Sequence, residues 1–248
     1  MDASFNTVAD DFFVNMNFQT TLALPDGRET ILQFCQAVQK QFPSMTCLFQ
    51  RDSGEFVLEG DREAGSYQWM ELHTHRLSAG YFNPPNCAAA FRLQRWLLER
   101  SVYYLGVGGL DVECLDVTFG FNLDYAGNRD SIVAEALAAN SPLGGLTAEG
   151  LGRCIEFEPN IVFALDGDCQ LQARISLETR CGSYEVRTGQ FGEEPISIYF
   201  TVRRYPRVGK VTDPVAKFDE ISVICRDTAA RIIVPQIVRP IATAIAAG

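Results

Sequence analysis

Bulky side chains recur at every second position from Met16 to Leu24, at Met16, Phe18, Thr20, Leu22 and Leu24. The same alternation returns at Val117, Phe119, Phe121, Leu123 and Tyr125. Period two marks a strand with one buried face. In both places it gives way, in the same register, to a helix start: Arg28-Glu29-Thr30-Ile31-Leu32 in one, Arg129-Asp130-Ser131-Ile132-Val133 in the other. A strand passing into a helix twice at one offset predicts a duplicated strand–helix unit.

The first strand is expected to stop at Pro25-Asp26-Gly27. Asp26 and Glu29 have the spacing of a capping box, which would contribute about 1 kcal/mol to the helix that follows. Ile31, Phe34, Cys35, Val38 and Phe42 form that helix's apolar stripe, and Pro43 stops it. Short strands are predicted near Met45–Gln50 and Glu55–Glu59 around Asp52-Ser53-Gly54, then one long strand from Tyr67 to about Leu77. Asn83-Pro84-Pro85 opens a helix to about Tyr104, which Gly106-Val107-Gly108-Gly109 closes. Those glycines follow a helix and precede a strand, the reverse of a dinucleotide fingerprint.

In the second half the pattern predicts a strand from Leu115 to Tyr125, a short helix over Arg129–Ala139 and a flexible boundary at Ser141–Gly152. Ile161, Phe163 and Leu165 lead into a hairpin at Asp166-Gly167, and Leu171, Ala173, Ile175 and Leu177 leave it. A weaker strand is expected over Tyr184–Thr188, and a last one carries Ile196, Ile198, Phe200 and Val202. Asp213-Pro214 begins a final helix that Pro235 and Pro240 should kink or break.

One-sided alternation in most strands predicts an α+β fold: antiparallel sheet with helices packed on one face, built from a pseudo-duplicated strand–helix–strands–helix unit. Residues 1–109 are the first α+β repeat unit and residues 110–248 the second, and the two could share one continuous sheet. The order helix, three strands, helix, strand from Glu29 to Tyr125 resembles that of small acidic secretion-chaperone-like domains. The resemblance is one of element order and assigns no site residues.

The composition narrows the class. A chain of 248 residues with 47% hydrophobic content suits one large soluble domain or two small ones. A formal net charge of −10 argues against nucleic acid and against anionic membrane surfaces as partners, because phosphate binding needs a basic face. No stretch approaches the roughly 20 apolar residues of a bilayer crossing. Met1 to Asp11 lacks the basic region and apolar core of a secretory signal, so a cytoplasmic location is expected. The eight cysteines form no CxxC pair and fall mostly in apolar runs, as reduced core thiols do.

Candidate chemistry is concentrated at Glu71-Leu72-His73-Thr74-His75, which holds the two histidines of the chain. On an extended strand Glu71, His73 and His75 would share a face with Tyr67 and Trp69. Two imidazoles and a carboxylate there could ligate a divalent transition metal, with water completing the shell. If Met70 and Leu72 face the helices, the Tyr67, Trp69 and His73 face points away from the core and marks a ligand or partner surface. Arg203, Arg204 and Arg207 lie in a dense basic run, Arg203 to Lys210, that could hold an anion. Asp166-Gly167-Asp168 lacks the distal glutamate of a calcium loop and reads as a turn.

No GxSxG elbow or GxxxxGKS/T phosphate loop occurs, so no motif names a reaction. The expectation is a non-catalytic binding or accessory protein, with no cofactor, whose partner is a protein or a small ligand. It would act through a sheet face or the apolar C-terminal segment Ile241 to Ala246, and an open sheet edge would allow a homodimer. The alternative is a small-molecule- or metal-dependent enzyme around Glu71, His73 and His75; a third is an anion-binding module at Arg203, Arg204 and Arg207.

Overall fold

Phe12, Val14, Met16 and Phe18 are fully buried, while the side chains between them are half-buried, on a strand spanning Asp11–Thr20 (β1). The alternation therefore begins earlier than Met16 and ends at Thr20; Leu22 is exposed beyond it. The computed structural model describes residues 5–148, 151–207 and 211–247. Glu149 and Gly150 of the expected boundary, and Val208, Gly209 and Lys210 of the basic run, lie outside the described residues.

After β1 come α1 (Arg28–Gln41), β2 (Cys47–Gln50), β3 (Phe56–Glu59), β4 (Tyr67–His73), β5 (Arg76–Phe82) and α2 (Cys87–Tyr104). The chain continues through β6 (Val112–Leu123), α3 (Arg129–Ala138), α4 (Pro142–Ala148), β7 (Asn160–Ala164), β8 (Leu171–Glu178), α5 (Ser183–Thr188) and β9 (Ile196–Arg204). It ends in α6 (Pro214–Thr228), a π-helical run over Ala229–Val238 and α7 (Arg239–Ala247).

The nine strands form one antiparallel sheet in the order β2-β3-β4-β5-β1-β6-β9-β8-β7. The fold is α+β, and helices cover one face. On that face Val14, Met16, Val117, Phe119, Phe200 and Val202 meet Phe91 and Leu93 of α2 and Phe218, Ile221 and Cys225 of α6. Each large apolar side chain buried there contributes about 1.5–3 kcal/mol. Pairing of β1 with β6 carries the sheet through both halves. The first half runs strand, helix, four-strand meander, helix. The second runs strand, two helices, a three-strand meander interrupted by α5, and helix. In each the last meander strand pairs with the first strand. A shared order of elements is not by itself a duplication.

Several local expectations need correction. Gly27, not Asp26, is the N-cap of α1, and no side chain caps it. The two prolines precede α2 rather than open it; Asn86 caps the helix by accepting from the Ala89 amide. The long strand from Tyr67 is two strands, because the chain turns at Thr74-His75 and returns as β5. Tyr184 to Thr188 is helical, since Glu185 reaches back to the Gly182 amide at 2.8 Å and closes a helix start that strand-forming Tyr184, Val186 and Thr188 conceal.

Pro235 does not break the last helix. The chain widens into π register around it, closing with the Arg239 amide on the Val234 carbonyl, five residues back. A proline lacks the amide that an α-turn would use, and a register change is one way a helix absorbs that loss. The resulting helix, Pro214–Ala247, is 34 residues and, against the expectation that no stretch approaches a bilayer crossing, is apolar enough for one by length and composition. In this fold its Ile221, Cys225, Ile233, Val234, Val238 and Ile241 are buried in the core.

Candidate functional site

The face of the sheet away from the helices is built from the alternate positions of each strand. Register places Phe13, Asn15, Asn17 and Gln19 of β1 there, beside Phe82, Gly80, Ser78 and Arg76 of β5 and Gly120, Thr118, Asp116 and Cys114 of β6. Tyr67, Trp69, Glu71 and His73 of β4 extend the same face, as do Tyr199, Thr201 and Arg203 of β9. Met70 and Leu72 point to the helices and are buried, so the division of β4 into two faces is as expected.

A polar rung crosses four strands of this face. Ser78 Oγ donates to Asn17 Oδ1 at 2.8 Å, and Asn17 Nδ2 donates to Asp116 Oδ1 at 2.9 Å. Arg203 closes the rung, donating from Nε at 3.1 Å and Nη2 at 2.7 Å to Asp116 Oδ2. Burial disfavours the charged form of Arg203, but Tyr205 and Asp116 outweigh it and raise its pKa. The buried carboxylate is thus fully answered.

The next two rungs are aromatic. The Trp69 ring lies over Gly80, where a side-chain carbon would meet it at 2.5 Å. Beside it Asn15 Oδ1 is buried with no hydrogen-bond partner. Half-buried Tyr67, Phe82, Phe13 and Tyr199 follow as a row, with ring centroids 5.4, 6.3 and 6.0 Å apart in sequence along it. Phe13 lies over Gly120, which has no side chain to displace it. Arg180 holds the far end of the row, donating from Nη2 to the Tyr199 hydroxyl at 2.9 Å.

His73 sits at the end of β4 in a charged cluster. Its Nε2 is 3.1 Å from Glu71 Oε2, its Nδ1 is 3.4 Å from Glu55 Oε1, and Arg76 Nη2 is 2.9 Å from Nε2. Arg51 pairs with Glu71 from the other side. A hydrogen bond from Ser53 and the Glu55 backbone amide hold the Glu55 carboxyl below its usual range. His75 is not on this strand; it is exposed on the turn, so strand geometry does not bring it over Glu71 and His73. Both histidines instead line a cleft of about 370 Å³ with Gln19, Glu55, Thr74 and Arg76. Among the described residues no group of three or more His, Cys, Asp and Glu side chains is arranged to hold a metal.

The three arginines of the basic run are not brought together. Arg203 is on the uncovered face with Asp116; Arg204, the next residue along β9, faces the opposite way and pairs with Asp166 at 2.8 Å. Arg207 is exposed beyond the strand, beside a cleft of about 380 Å³ that also meets Arg204, Tyr205, Asp213 and Lys217. Arg203 has a different companion, Arg174 of β8, and the two line a cleft of about 310 Å³ with Asn160, Val162, Gln172 and Thr201.

Phe13, Asn15, Asn17, Phe82, Asp116, Arg174 and Tyr199 carry no sequence motif. They become neighbours through strand register alone, on strands up to about 190 residues apart in the chain. The alternation of β1 and β6 was the available signal, since it fixes which residues leave the core.

No protein-family model and no curated protein matches the sequence. Among solved structures, the crystal structure of the di-domain ARO/CYC BexL from the BE-7585A biosynthetic pathway aligns with a TM-score of 0.19 and 9% identity. That alignment covers 92% of this chain and 97% of that one, and a likeness of this size carries no argument.

Proposed function

We propose that this is a non-catalytic binding protein that takes a small ligand on the uncovered face of its sheet. The observation that carries the reading is Asn15 Oδ1, a buried acceptor without a donor, beside the Trp69 ring over Gly80 and one rung from the half-buried aromatic row. A buried polar atom left unsatisfied costs about 1–3 kcal/mol, so a ligand that displaces the Trp69 ring and donates to Asn15 recovers that energy on binding. The rings beside it offer apolar area with little loss of side-chain freedom, and the polar rung fixes orientation. The apolar C-terminal segment is the weaker choice, because Ile241 and the preceding Val238 are buried in the core.

Amide-resolved NMR against a library of polar aromatic and aliphatic compounds tests the reading. Ligand shifts should cluster on the residues of β1, β4, β5 and β6 around Asn15, and Trp69→Ala should weaken binding at least ten-fold with the fold intact. Shifts that cluster on the helix side of the sheet would sink it.

A second reading, a small-molecule or metal-dependent enzyme, is favoured by the cleft where His73, His75 and Arg76 meet. It requires about one divalent metal per chain in the purified protein, lost in a folded His73→Ala/His75→Ala variant. Metal-free protein in both cases returns these residues to the charged cluster described above.

A further inference from the structure

Between β7, β8 and β9 the uncovered face deepens into the cleft of about 310 Å³. Its floor is Thr201, whose hydroxyl is 2.8 Å from that of Thr118. Around it stand Arg203, Gln172, Arg174, Asn160 and, at the rim, Val162. None of the six lining residues is acidic, on a chain whose formal net charge is −10. Asp116, 1% exposed, already holds Arg203.

Arg174 is in a different state from Arg203. Its Nε donates to Asn160 Oδ1 at 3.0 Å, and among the described residues it makes no ion pair. That bond ties Arg174 to Asn160 at the cleft wall and occupies the Asn160 side-chain oxygen, leaving the Asn160 amide nitrogen as a donor. The cleft thus gathers two guanidinium groups, an amide N–H pair and a hydroxyl, with one cationic charge not balanced by a partner. Guanidinium forks match carboxylate oxygens in a planar, two-bond geometry, which an ammonium or neutral ligand does not satisfy. Val162, 56% exposed at the rim, supplies an apolar contact just outside this polar base.

We propose that this cleft binds the carboxylate of a small organic acid, with Arg174 as the principal anchor and the acid's apolar portion lying against Val162. The proposal shares with the functional reading above only the use of the uncovered face; it assigns a separate site, on β7, β8 and β9, with its own ligand class. The rung through Asp116 then has a positioning role: it holds Arg203 at the cleft wall.

Hexanoate is the probe, with hexanol as the uncharged control of the same length, and amide and arginine Nε–H signals are read by NMR. Hexanoate should give saturable shifts at Arg174, Thr201 and Gln172, and hexanol none at these sites. Arg174→Met should weaken hexanoate at least ten-fold; because Arg174 is exposed, the variant should unfold at the wild-type temperature. Thr201→Val should weaken it by a smaller factor. Equal binding of hexanol, or unchanged affinity in Arg174→Met, overturns the proposal. Ligand shifts confined to Asn15 and Trp69 overturn it while leaving the uncovered-face reading standing, and hexanoate shifts confined to the helix side overturn both.

Discussion

Asp116 and Arg203 face each other across β6 and β9, two hydrogen bonds joining a carboxylate that is 1% exposed to a guanidinium that is 37% exposed. Replacing Arg203 by methionine leaves Asp116 buried with Asn17 as its remaining donor. Loss of a charged hydrogen-bonded partner to a buried carboxylate costs about 2 kcal/mol once solvent screening of the exposed arginine is allowed for. Urea unfolding should show that loss for Arg203→Met. The double variant Arg203→Met/Asp116→Asn should be the more stable of the two, since the uncompensated charge is gone. Equal stability of the two would mean that the loss comes from packing around Arg203 and not from its pairing with Asp116.

Gly120 matters because of Phe13. A side-chain carbon at Gly120 would come within 2.0–2.6 Å of three Phe13 ring carbons. Gly120→Ala should therefore cost about 2 kcal/mol, the scale of overpacking in a filled site. On a Phe13→Ala background the same substitution should cost almost nothing, a coupling of about 1–2 kcal/mol between contacting residues. Additive losses in the double-variant cycle would show that the ring does not occupy that space.

Much of this scaffold is legible in the chain. Alternation marks Met16 and Val117 each as a core position, and in the sheet they are direct cross-strand partners on the covered face. The faces of β4 were legible for the same reason: Met70 and Leu72 could leave water only on one side. His75 was not legible, because Thr74-His75 contains no glycine, proline or asparagine to mark a turn. The rung of Ser78, Asn17, Asp116 and Arg203 was out of reach for a different reason. Strand order decides which distant residues touch, and alternation along one strand carries no information about its neighbours.

Acid should weaken the fold through Glu158. Burial works to raise the pKa of this carboxyl, but the Thr179 and Arg180 amides and the Thr179 hydroxyl outweigh it and hold it below its ordinary value of 4.5. A carboxyl with a lowered folded-state pKa contributes stability in full above its ordinary value, and loses that contribution as pH falls through the folded value. Glu158→Gln should therefore be less stable than wild type at neutral pH, and the gap should narrow steadily below about pH 4.5. A gap that stays constant down to pH 2 would assign the effect to shape rather than charge.

Arg129 is fully buried at the start of α3 and gathers the segment before β9. Its Nε donates to the Thr179 carbonyl at 2.6 Å and Nη1 to the Gly192 carbonyl at 2.8 Å. Nη2 reaches the Arg180 carbonyl at 3.4 Å and Glu185 Oε1 at 3.3 Å. Those acceptors lie around a planar fork that a lysine ammonium, a point charge on a flexible stem, does not reproduce. Arg129→Met should cost about 3–5 kcal/mol, the range for breaking a buried charged network, and Arg129→Lys should recover less than half of it. Because this network also fixes Arg180, whose guanidinium holds the Tyr199 hydroxyl, the damage should spread to the aromatic row. Hydrogen exchange should then quicken over 179–192 and at Tyr199 while the amides of β4 and β5 keep their protection. Uniform loss of protection across the sheet would instead make Arg129 a determinant of global stability with no particular link to the uncovered face.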